Sequence, residues 1–81
     1  MNAVATPKLA SASDVAERLD NLLVKKFNEH AGAFRSSNFV IVRYGRLSRE
    51  YALDVVTARN YLAYLAAGGI GQHNSLHFMG N

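Results

Sequence analysis

The sequence predicts an α+β domain in which two helices pack on one face of a small antiparallel sheet. Three observations lead there. Apolar residues recur at helical spacing in two separate stretches, a β-branched and aromatic run stands between them, and glycines punctuate the joins. With 81 residues the chain is one domain, and 49% apolar against 19% charged residues is the balance of a folded globule.

The first helix is expected over about 14 to 31. Val15, Leu19, Leu22, Leu23, Phe27 and Ala31 fall on one side of it, and the opposite side is polar. Asp14 with Glu17 resembles an N-cap and its reciprocal acid, Asp14 and Arg18 are spaced for an ion pair, and Gly32 offers a stop. Residues 1 to 12 lack periodicity and are read as a flexible arm, with residues 13 to 81 forming the compact domain.

Asn38 to Tyr44, NFVIVRY, is too short for a helix and well composed for a strand. A two-residue turn at Gly45 and Arg46 would set Val42 opposite Arg49, Val40 opposite Tyr51 and Asn38 opposite Leu53. That register turns Val40, Val42, Tyr44, Leu47, Tyr51 and Leu53 to one face. Phe39, Ile41, Arg43, Glu50 and Ala52 take the other, with Arg43 and Glu50 as diagonal neighbours. Asp54 reads as the N-cap of a second helix over about 55 to 67, which Gly68 and Gly69 end. Leu76 and Phe78 alternate and suggest a short third strand at the edge.

The composition narrows the chemistry. Cysteine is absent, so neither disulfides nor thiolate metal sites are available, and the expected setting is the cytoplasm. No stretch approaches the length of a membrane span, and the net charge of +3 is a mild bias toward an acidic or nucleic-acid partner. His30, His73 and His77 invite a metal site, but isolated histidines without cysteine or clustered acids read as solvated residues. Ser48 and Glu50 lack a histidine tied to them, and GGIGQ at 68 to 72 follows a helix, where a phosphate cradle would lead into one. No catalytic, metal or cofactor residues are therefore assigned, and the chain is read as a non-enzyme.

Binding residues are easier to nominate. Arg43, Arg46 and Arg49 cluster with Tyr44 around the hairpin, and Arg and Tyr carry much of the energy of protein interfaces. Phe39 and Ile41 lie on the sheet face that two helices on the other side would leave open. A monomer or a homodimer using that face are both compatible with the pattern.

Two resemblances follow from particular stretches. TARNYLAYLAAGGI, residues 57 to 70, resembles the recognition helix of helix-turn-helix regulators, which implies DNA contact by Arg59, Asn60 and Tyr64 if residues 48 to 53 are helical. Val56 and Arg59 depart from the glycine and apolar positions of that motif. In format, a short chain built around FVIVRYG, EYAL and DVVTARNYLAYL resembles the small inhibitors of phages and mobile elements of the anti-CRISPR type, which share no common motif. That resemblance implies a protein partner such as a CRISPR effector complex, whose recognition of nucleic acid is blocked by contact. The positive charge departs from the acidic, DNA-mimicking members.

Overall fold

The computed structural model describes residues 11 to 73. Five elements follow one another: α1 (Ala12–Lys26), β1 (Gly32–Ser36), β2 (Phe39–Arg43), β3 (Tyr51–Asp54) and α2 (Val55–Ala66). The strands form one antiparallel sheet in the order β1-β2-β3, and the α+β class expected from the sequence is what the chain adopts. Of the arm expected over residues 1 to 12, Ser11 and Ala12 instead cap and begin α1, and the remainder, like the strand expected around Leu76 and Phe78, lies outside the described residues.

The N-cap of helix α1 lies three residues before the expected one. Ser11, in extended conformation, accepts a hydrogen bond from the Asp14 amide at 3.0 Å, and Asp14 then sits in the first turn, where a negative charge suits the helix dipole. The helix also stops early, at Lys26 instead of about 31. Asn28 accounts for this: its Oδ1 accepts from the His30 amide at 2.8 Å while its Nδ2 donates to the Tyr44 carbonyl at 3.0 Å. A side chain that binds the backbone ahead of it competes with helical hydrogen bonding and wins at a helix end.

The residues so released allow Gly32–Ser36 to become β1, a strand absent from the sequence expectation. Its composition, GAFRS, carries no β-branched residue, and its pairing with β2 from Gly32↔Arg43 to Ser36↔Phe39 is a tertiary outcome. Asp20 on α1 supports it from the side, accepting the Ala33 amide at 2.8 Å. Otherwise that edge donor would need water or another strand.

Pairing of β2 with β3 is shifted by two residues from the expected register: Val40 faces Leu53 and Val42 faces Tyr51. A shift of two keeps every side chain on its original face, because alternation in a strand has period two. The cause is a longer connection. Ser48 donates its amide to the Gly45 carbonyl at 3.1 Å, and its Oγ accepts from the Tyr44 amide at 3.2 Å, which closes a turn over Gly45 to Ser48. Leu47, expected on the inner face, is instead 96% exposed at the tip.

Val40, Val42 and Leu53 point into a core completed by Val15, Leu19 and Leu23 of α1 and by Ala58, Tyr61 and Leu65 of α2. Both helices therefore cover the same face. Helix α2 begins at Asp54, which caps Thr57 as expected, and ends where the glycines stand. Gly69 donates to the Tyr64 carbonyl and Gly68 to that of Leu65, with Gly68 at a φ of 108°. These two bonds satisfy the last carbonyls of the helix in a Schellman ending.

One residue is strained. Ser37, in the two-residue link between β1 and β2, has a φ of 57°, a left-handed conformation that costs a residue with a Cβ about 1 kcal/mol. Ser37→Gly relieves that strain but adds freedom to the unfolded chain, so the thermal midpoint is expected to stay within about 4 °C of the parent with the far-UV circular dichroism spectrum unaltered, whereas a β-branched residue there lowers it.

Candidate protein interface

Alternation along β2 sends Phe39, Ile41 and Arg43 away from the helices. On the same face, the register places Phe34 of β1 and Ala52 of β3 on either side of Ile41. Phe34 is 50% and Phe39 46% exposed, so an apolar row crosses the sheet without cover from any described element. Phe34 belongs to the strand that the sequence pattern does not mark. The only sequence signal was an isolated aromatic beside Gly32.

Arg43 lies on the same face, two residues further along β2 at the end where the β2–β3 turn emerges. Its Nε donates to the His30 carbonyl at 3.2 Å, which holds the guanidinium beside the sheet. Arg46 and Leu47 occupy the tip of the turn, and Arg49 follows with its guanidinium carbon 5.2 Å from the centre of the Tyr51 ring. Arg43, Arg46 and Arg49 are all exposed, and among the described residues none of the three has a carboxylate within ion-pair distance. The expected proximity of Arg43 and Glu50 yields no ion pair. The β2–β3 ladder stops at Val42↔Tyr51, one residue short of both.

Tyr44 departs from its expected role. It is buried, 6% exposed, with Phe27 edge-on at 5.1 Å between ring centres, and it is the base of the turn rather than part of its surface. Its hydroxyl donates to that of Tyr61 at 3.1 Å and accepts from the His73 amide at 2.6 Å. The Tyr61 hydroxyl in turn donates to the Gly71 carbonyl, and the Gly71 amide donates to the Tyr64 hydroxyl. Three tyrosines thus hold residues 71 to 73 against the core. Burial pushes the Tyr44 and Tyr61 hydroxyls up, so both stay protonated donors.

His73, expected to be solvated, lies parallel to Tyr44 and 4.3 Å from the centre of the Tyr51 ring. Desolvation holds its imidazole below the ordinary value. His30 stands apart at the loop after α1, and His77 is outside the described residues. Among the described residues no group of three or more histidines and acids could hold a metal ion. No helix there is long and apolar enough to cross a membrane.

The helix-turn-helix arrangement over 48 to 67 is not formed, because Tyr51–Asp54 is a strand paired with β2 and no helix precedes α2 in that interval. Arg59 and Asn60 are exposed on α2 beside α1, while Tyr64 is partly buried and engaged with Gly71. The three side chains are thus not equally presented to solvent. No protein-family model, curated protein or solved structure matches the chain.

The sign of the His73 shift gives a pH dependence. With the folded value depressed, the unfolded chain takes up the proton first. Stability is therefore whole above about pH 6.5 and falls as the pH drops below it toward the folded value. Asp54, whose carboxylate is held down by its bond from the Thr57 amide, acts only in a window below the ordinary aspartate range. Denaturant unfolding between pH 7 and 5 is expected to show a slope that His73→Phe flattens, since the phenyl ring keeps the stack and cannot titrate.

Proposed function

We propose that this chain is a non-enzymatic binding module that docks a protein through the open sheet face and the basic turn beside it. The observation that carries the reading is the placement of Phe34, Phe39 and Ile41 on a sheet face that no described element covers, with Arg43 on the same face at the end of β2. Exposed aromatic area rimmed by arginine is the composition of protein contact surfaces, where apolar anchors supply affinity and charges supply steering. Leu47 at the tip, flanked by Arg46 and Arg49, adds a side chain with little to gain from water.

The partner class follows from the format of the chain. A small domain of this kind fits an inhibitor of the anti-CRISPR type, acting in the cytoplasm of the host cell. It would cover the surface by which a defence complex recognises nucleic acid. The exposed arginines at and beside the turn, Arg43, Arg46 and Arg49, suit a partner surface rich in carboxylates, and the reading is contact with protein and not an imitation of DNA.

The test is retention of a CRISPR effector complex by tagged protein, with and without nuclease. We expect retention to survive nuclease and to fall by at least roughly tenfold for R43E/R46E/R49E, the scale of an interface hot spot, with the circular dichroism spectrum unchanged. Equal retention by the triple variant would remove this surface from the contact. Retention lost on nuclease treatment would show that nucleic acid, not protein, is bound.

A further inference from the structure

The opposite side of the domain carries a second recess. Helices α1 and α2 pack against each other over the same face of the sheet. Between them, on the side away from the sheet, lies a groove of about 570 Å³. Its floor is apolar, made by Leu22 of α1 and by Leu62, Ala63 and Ala66 of α2. Arg18 and Arg59 stand on it from facing helices, and Asn21 and Asn60 supply neutral polar groups.

Two properties define what fits. No carboxylate lines the groove, and neither arginine has an acidic partner within ion-pair distance among the described residues. Asp14, spaced one helical turn before Arg18, does not pair with it. Two guanidinium groups beside an apolar floor therefore offer uncompensated positive charge with forked donors that match carboxylates. The exposed positions Ala63 and Ala66 project only methyl groups, so a helix backbone could approach α2 closely there.

We propose that this groove receives an acidic amphipathic helix of a partner protein. Its apolar residues, recurring every three or four positions, lie on Leu22, Leu62, Ala63 and Ala66, and its flanking carboxylates meet Arg18 and Arg59. A second copy of this chain is the poorer occupant, because a twofold arrangement would bring the arginines of the two copies together. The groove lies across the domain from Phe34 and Ile41. Its use is independent of the sheet face, and it would let one small domain hold two surfaces at once.

The experiment pans a displayed library of random helical peptides against the full chain and against three variants whose fold is checked by circular dichroism. R18E/R59E reverses the charge, A63W fills the groove from an exposed position, and F34S/R46E alters only the sheet side. The expected result is enrichment of acidic peptides with apolar residues at three- and four-residue spacing. Their saturable binding should fall at least roughly tenfold on R18E/R59E and on A63W, weaken with added salt, and persist on F34S/R46E. Enrichment of basic peptides, binding that ignores both groove variants, or no enrichment at all would overturn the proposal. So would concentration-dependent dimerisation abolished by A63W, which would make a second copy the occupant.

Discussion

The arrangement rests on the alternation within FVIVR of β2. Val40 and Val42 are wholly buried beneath two helices that lie on one face of the sheet, and this orientation leaves Phe39, Ile41 and Arg43 nowhere to point but outward. Reversing the faces would expose two valines and bury a guanidinium without a partner, a change the core of so short a chain could not absorb. The open face is thus a consequence of how the core is made. Among the described residues both helices lie on one side of the sheet and no element on the other, which carries Phe34, Phe39 and Ile41.

A second constraint joins this face to the turn. The chain has no cysteine, so segments beyond the helices must be held by side chains. Tyr44 does this at the pivotal position, placing its ring in the core and its hydroxyl between Tyr61 and the His73 amide. Its backbone meanwhile anchors both ends of the local structure, with the amide bound by Ser48 and the carbonyl by Asn28. The turn that carries Arg46 and Leu47 therefore springs from a fixed base, and an ordered presenting loop loses less entropy on binding.

What could be read in the sequence was whatever had strong periodicity or a short-range cap. Helix α2 lies within one residue of its expected span because Asp54 and the glycine pair mark both ends locally. Helix α1 was foreseen in its apolar stripe but not in its limits, since Ser11 and Asn28 act through single side-chain bonds that compete with equally plausible neighbours. Strand β1 had no local signal at all. Its existence depends on β2 beside it and on Asp20 across from Ala33, contacts distant in the chain. For the same reason Phe34 escaped notice, whereas Phe39, Ile41 and Arg43 were legible from alternation. Leu47 leaves the inner face because the turn is longer than two residues, whereas Tyr44 keeps that face at the foot of the turn and is buried there.

Since the chain lacks cysteine, single thiols can be introduced one at a time at positions 34, 41, 47 and 17 and their labelling rates compared with and without a bound effector complex. The account predicts protection of positions 34, 41 and 47, on the open sheet face and the turn, while the thiol replacing Glu17 on α1 reacts at its unbound rate. Protection at position 17 with unchanged labelling at the other three would contradict it, and would place the contact on the helices.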